Sequence, residues 1–209
     1  MSLIENLKWR YATKRFDSNK KLNSANLELL KESVRLSASS YGLQLYKVLI
    51  IEDEKMKALL KDASWGQAQI TEASHIFVFC NYSKVTSQQI DEYLQLKASI
   101  QNLKTDDLKA YGDFMKNTLL GMAEEQMNNW TAKQCYIALG NLLAASADLK
   151  IDACPMEGFE PEKYNKILGL KAKGLNAAVI AAVGYRSQDD QTQFAAKVRK
   201  PLEELFETI

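Results

Sequence analysis

The chain has 209 residues, 46% hydrophobic and 25% charged, which is ordinary globular usage with enough apolar surface for a sizeable core, and this excludes a disordered chain. Lys plus Arg total 27 against 26 for Asp plus Glu, so the summed field draws in neither nucleic acid nor an acidic membrane, and any anion site has to be local. Cys80, Cys135 and Cys154 each lie inside an apolar run and read as buried free thiols of a reducing compartment, not as a disulfide framework.

The opening MSLIENLKWRYATKRF carries charges throughout and has no apolar core of signal-peptide length. No stretch approaches the ~18 uninterrupted apolar residues of a membrane span, and a cytoplasmic location is expected. Leu3, Ile4 and Leu7 recur at helical spacing and predict a short first helix, with the basic run Lys8 to Lys14 at its end. Ser24 suits the N-cap of a second helix with Leu27, Leu30 and Val34 on one face, which SASSYG ends. YKVLIIED at 46–53 reads as a strand and 54–62 as a short helix. HIFVFCN at 75–81 is a near-continuous apolar run of strand length, expected of a central strand buried on both faces.

Residues 86–148 read as helical almost throughout, with breaks near Asn102–Asp107 and around Gly121. The last part, TAKQCYIALGNLLAASADL, is apolar nearly all round, as in a helix at the centre of a domain or in an oligomer interface, and both are expected. IDACPM at 151–156 and NAAVIAAVGY at 176–185 add two strands, separated by a helix near 161–168. The tail from 187 is polar and ends in a short amphipathic segment. Without repeats or a Pro/Gly-rich linker, residues 1–209 read as one domain of α/β or α+β class with helices on both faces of the sheet, whose strand order the sequence does not reveal.

His75 is the only histidine and has no second ligand at metal-binding spacing; GxSxG, HExxH, Walker A and GxGxxG patterns are absent. Hydrolytic, metal and Rossmann-type dinucleotide chemistry are therefore unsupported. Three local elements remain. RYATKRF sets Arg10 and Lys14 four residues apart, facing one anion if the helical turn continues and otherwise a solvated basic helix end. KVRKP places Lys197 and Arg199 on one side of an extended segment. PMEGF at 155–159 follows a strand, where backbone N–H groups turn outward and can donate to a planar heterocycle or an oxyanion.

In this order, RYATKRFD (10–17), SASS with Gln44 (37–44), EASHIFVFC (72–80), WTAKQCYIALGN (130–141), CPMEGF (154–159), VGYRS (183–187) and KVRKPLEEL (197–205) resemble the nitroreductase family nearly end to end. The branch they resemble holds the oxygen-insensitive nitroreductases and dihydropteridine reductases. The resemblance implies a central mixed sheet covered by helices on both faces, in a domain-sharing homodimer with FMN at the subunit interface. It further implies an NAD(P)H oxidoreductase that reduces nitroaromatic, quinone or pterin-type acceptors by ping-pong hydride transfer, the cofactor carrying the chemistry. The alternative on the same fold is a flavin-binding redox sensor or interaction module that does not turn over.

By the same resemblance, Arg10, Lys197 and Arg199 hold the FMN phosphate, Lys14 lies by the pyrimidine edge of the ring, and Tyr11 and Ala12 line the segment between. Ser39 contacts the flavin across the dimer interface. Pro155, Met156, Glu157 and Gly158 cover one ring face, with the Glu157 N–H near N5. Gln69 stands where close relatives carry a Lys or Gln at the ring edge. The chain departs from the family pattern at Ala12, in place of a hydroxyl residue, at Gly66, in place of an Asn, and at Leu45-Tyr46, in place of Pro-Trp. Gln67 and Gln69 of the WGQAQ segment are candidates to replace the missing amide contact.

Overall fold

A computed structural model describes residues 2–209. Helix α1 (Leu3–Trp9) opens with a capping box in which Ser2 and Glu5 satisfy one another's backbone N–H groups. The cap of α2 (Ser24–Arg35) is Asn23, which accepts from the Asn26 N–H at 2.8 Å, so Ser24 is the first helical residue and not the cap. Two cap-competent side chains stand in succession there, and the first of them does the capping. Strand β1 (Tyr46–Ile51) leads to α3 (Glu54–Asp62), capped by Asp53, and to α4 (Gln69–Glu72), a single turn too short for any periodicity to announce it.

The predicted central strand is β2 (His75–Tyr82). The long helical stretch divides into α5 (Ser87–Gln101), α6 (Lys109–Leu119) and α7 (Glu124–Asp148). Its first break is made by Asn102 in the left-handed conformation followed by a 3-10 turn at Thr105–Leu108, and the second brackets Gly121. Strand β3 (Asp152–Met156), α8 (Pro161–Ile167, with Pro161 in its first turn) and β4 (Leu175–Gly184) complete the body. One further turn of helix, α9 (Leu202–Leu205), lies in the tail.

The strands form one sheet in the order β1-β2-β4-β3, every neighbouring pair antiparallel. The parallel component of the expected mixed sheet is confined to an isolated bridge between Ala12 and Ala153. Helices cover both faces, as expected. On one face Ile76, Val78, Ile180 and Ala182 pack with Leu60 of α3, Ile70 of α4 and Tyr164 of α8. On the other, Phe77, Phe79, Val179 and Ala181 pack with Leu30 and Val34 of α2 and with Cys135, Ala138 and Leu142 of α7. α5, α6 and the start of α7 share a smaller core around Ile90, Leu94, Met115 and Leu119.

Alpha-helix α7 is central to the domain on its inner side, yet Tyr136 and Ile137 stay 42% and 46% exposed on its outer side. Among the described residues no helix is long and apolar enough to cross a membrane.

Candidate functional site

The end of α1 does not continue as helix. Arg10 adopts extended geometry (φ −72°, ψ 148°), Ala12 bridges Ala153 of β3, and Phe16 bridges Arg186 just beyond β4. In an extended segment alternate side chains share a side. The Tyr11 hydroxyl donates to Asp190 at 3.0 Å, and Thr13 Oγ1 approaches Asp152 at 3.4 Å. Arg10, Ala12 and Lys14 are thereby turned the other way, and Arg10 and Lys14 share a side by strand period instead of by the helical turn the spacing suggested.

Two buried carboxylates, Asp190 and Asp152, hold this segment. Asp190 accepts from the Lys14 and Arg15 N–H groups at 2.8 and 3.2 Å, from Tyr11 and from the Thr192 N–H. Asp152 pairs with Arg186 at 2.6 Å, and that guanidinium lies over the Trp9 and Tyr11 rings at 4.3 and 4.6 Å from their centroids. No local motif signals either role, because each arises from groups far away in the chain.

The tail folds back onto the same place. Lys197 Nζ donates to Leu7 O at 2.8 Å and to Arg10 O, capping the carbonyl end of α1, and Arg199 donates to its neighbour's carbonyl at Val198. Burial, then the Arg199 guanidinium, holds Arg10 below its ordinary pKa; burial, then Arg10 and Arg199, lowers Lys197. Among the described residues Arg10, Lys14, Lys197 and Arg199 form no ion pair with a carboxylate. Clustered cations without a paired carboxylate are a local attraction for an anion on a chain of nearly zero net charge.

Beside them runs the turn after β3. The Glu157 and Gly158 N–H groups donate to no other group among the described residues, while the Phe159 N–H closes the turn on Glu157 O at 2.9 Å. Cys154 is buried beneath this corner; burial pushes its thiol up, and the charges of Lys14 and Arg10, together with the nearby Gln69 side chain, pull the other way. Lys14, Arg10 and Gln69 thus all lie close to Cys154. Both amide hydrogens of Gln67 are used, one on Ser64 O at 3.1 Å and one on Gly158 O at 2.6 Å, so this side chain supports the turn. Trp65 and Gly66 are consecutive left-handed residues (φ 55° and 73°), and the Trp65 indole is 67% exposed beside Gly158.

Of the candidate residues, Arg10, Ala12, Lys14, Gln67, Gln69, Pro155, Glu157, Gly158, Lys197 and Arg199 lie together at the β3 side of the sheet, whereas the Tyr11 hydroxyl turns to Asp190 and the Met156 side chain is buried in the core. Ser39 does not join them. It precedes β1, the opposite edge strand, where its hydroxyl accepts from the Gln44 N–H at 2.9 Å and the Ser40 N–H reaches Gln134 Oε1 at 2.8 Å. The other thiols, Cys80 and Cys135, are buried in the core and pushed up to about 12 by burial, which leaves them inert.

A model of the Nitroreductase family matches residues 7–185. A protein of Staphylococcus haemolyticus, provisionally named an NAD(P)H nitroreductase, is 34% identical over 218 residues that span 100% of this chain and 97% of its own. YfkO of Bacillus subtilis, named in the same provisional way, is 31% identical across 94% of both. Among solved structures, a Staphylococcus epidermidis protein provisionally described as an NAD(P)H:FMN oxidoreductase superposes with a TM-score of 0.88 at 18% identity, covering 100% of this chain and 96% of that one. An Exiguobacterium sibiricum protein solved in complex with FMN, provisionally described as a nitroreductase, gives 0.85 at 17% identity, covering 100% and 98%.

Proposed function

The chain belongs to the nitroreductase family, and on that premise we propose that it is an FMN-dependent NAD(P)H oxidoreductase, acting in the cytoplasm on flat, electron-poor acceptors such as nitroaromatics, quinones or pterins. The observation that carries this reading is the convergence of four cations lacking carboxylate partners with two unpartnered backbone N–H groups. Arg10, Lys197 and Arg199 suit one phosphate, since charge-assisted hydrogen bonds from guanidinium and ammonium groups are the strong ones. The Glu157 and Gly158 N–H groups suit the polar edge of a flat ring, and Lys14 and Gln69, near Cys154, suit a further edge of it. One phosphate clamp and no glycine-rich dinucleotide motif favour FMN over FAD.

FMN, when bound, accepts hydride from NAD(P)H and returns it to the acceptor, so the chain needs no acid/base dyad. The protein's part is to hold the ring, fix the charge around it, and leave one face open where reductant and acceptor take turns. Ser39 completes such a site only from a second copy, because in one chain it precedes the far edge strand. This placement and the exposed outer side of α7 support a domain-sharing homodimer.

The test is to purify the protein, extract its cofactor, and mix the yellow protein anaerobically with NADH or NADPH. Bleaching, followed by recolouring over many turnovers on adding menadione or a nitroaromatic, is expected. Bleaching without turnover would instead favour a redox sensor. In the same preparation Arg199→Ala should weaken FMN binding by about 1.5–3 kcal/mol, the usual worth of a charge-assisted hydrogen bond.

A further inference from the structure

The turn at 155–158 is gripped from two sides by residues that the phosphate clamp does not use. From one side comes the Gln67 amide, which donates to Gly158 O at 2.6 Å and is itself tied to Ser64 O at 3.1 Å. From the other comes α7: the Tyr136 hydroxyl donates to Glu157 Oε1 at 2.6 Å, across 21 residues of sequence. We propose that Tyr136 and Gln67 are positioning residues that aim the Glu157 and Gly158 N–H groups at the flavin ring. This inference rests on the reading of the turn as the ring-binding element.

The physical argument starts from the glycine. Gly158 has the widest backbone freedom in the turn, and a planar peptide can direct its N–H only if both its ends are fixed. Hydrogen bonding to Gly158 O fixes the plane after it, and fixing the Glu157 side chain restrains the residue before it. The peptide between them, which carries the Gly158 N–H, is left with little room to rotate. Packing adds to the grip: a Cβ on Gly158 would stand 3.0 Å from Gln67 Nε2 and 3.2 Å from Trp65 Cζ3. Donors held in this way need no reorganisation when charge develops on a bound ring, which is where electrostatic preorganisation gains its effect.

Tyr136 also joins the turn to the outer side of α7, next to Ile137, so a shift of that helix reaches the turn through one hydrogen bond. Without the Tyr136 hydroxyl, the carboxylate of the exposed Glu157 would be free to rotate. The phosphate clamp would be untouched, because none of its residues contacts Tyr136 or Gln67 through a hydrogen bond.

The experiment uses FMN-loaded protein and three variants: Tyr136→Phe, Gln67→Ala and Glu157→Ala. Tyr136→Phe and Gln67→Ala should each displace the visible absorption bands of the bound flavin and slow bleaching by NAD(P)H about 5- to 20-fold, the effect of losing one good hydrogen bond. FMN affinity and the melting temperature of the FMN-free protein should stay close to the parent values. Adding Tyr136→Phe to Glu157→Ala should change nothing further, since the two act through one contact. Unmoved bands and unchanged bleaching in both single variants would overturn the inference while leaving the family reading intact. So would additive losses in the Tyr136→Phe/Glu157→Ala pair. A parent protein that takes up no FMN at all would bring down the family reading together with this one, and the two failures are thereby distinguished.

Discussion

Asp190 shows how a single side chain can prepare a site it does not enter. Burial alone would raise its pKa, but the N–H groups of Lys14, Arg15 and Thr192 and the Tyr11 hydroxyl outweigh it and hold the carboxyl below the usual range. A depressed carboxylate stabilises the fold above its unfolded pKa of 3.8, and that stabilisation is lost as pH falls through the lower folded value. Asp190→Asn presents a donor where donors already converge and should cost about 1–3 kcal/mol in urea unfolding at neutral pH, with a flatter acid limb than the parent. An unchanged acid limb would show that Asp190 is not the group that titrates.

Lys14, whose backbone Asp190 fixes, should carry a different signature. An ammonium beside the ring favours the more negative, reduced cofactor, by ~1 to ~4 kcal/mol for a partly screened pair at ~4 Å. At about 30 mV per 1.4 kcal/mol for two electrons, Lys14→Met should lower the midpoint potential by roughly 20–85 mV in dye equilibration of fully loaded protein. A solvated surface lysine would leave the potential where it was.

Among elements, the turn between β3 and α8 is where sequence and packing are most tightly matched. Gly158→Ala introduces a methyl group at 3.0 Å from the Gln67 amide and 3.2 Å from the Trp65 ring. Trp65 is exposed and can swing away, whereas Gln67 can yield only by loosening its bond to Gly158 O. The variant should fold with a stability loss of about 1–3 kcal/mol, as overpacking usually costs, and should show an altered Trp fluorescence. Parent-like fluorescence and stability would mean that the loop at 65–69 does not press on the turn.

The strands were legible because each is an apolar run bounded by turn residues, and HIFVFCN marked β2 as central before any pairing was known. The order β1-β2-β4-β3 was not, since it is decided by contacts between segments distant in the chain, which periodicity does not encode. The single-turn helices α4 and α9 escaped for want of length. In the site, the basic pairs and the PMEGF turn stood out by residue type. Asp152, Asp190 and Tyr136 did not, because an aspartate holding distant backbone N–H groups looks in sequence like any surface aspartate.

At the scale of the whole molecule, the pattern of burial on α7 separates two kinds of apolar residue that the sequence could not tell apart. Leu139 is 5% exposed and belongs to the core of one chain, whereas Ile137, two residues earlier, is 46% exposed on the outer side of α7. An obligate homodimer commonly buries more than ~2,000 Å² of largely apolar surface, and Ile137 is an apolar side chain that the outer side of α7 leaves open for it. A charge at Ile137 would then be buried unpaired in the assembly while remaining solvated in the separate chain, so its cost falls on association and not on folding.

Ile137→Lys is therefore expected to sediment as a folded monomer at micromolar concentration, where the parent is expected to sediment as a dimer. On the proposed reading, in which Ser39 completes the site from a second copy, it should also bind FMN more weakly. Leu139→Lys is the contrasting variant: it should unfold the chain, since its charge has no solvated alternative. A dimeric Ile137→Lys protein with parental FMN affinity would show that the copies meet through another surface. A folded monomer that kept full FMN affinity would show instead that one chain holds the cofactor alone.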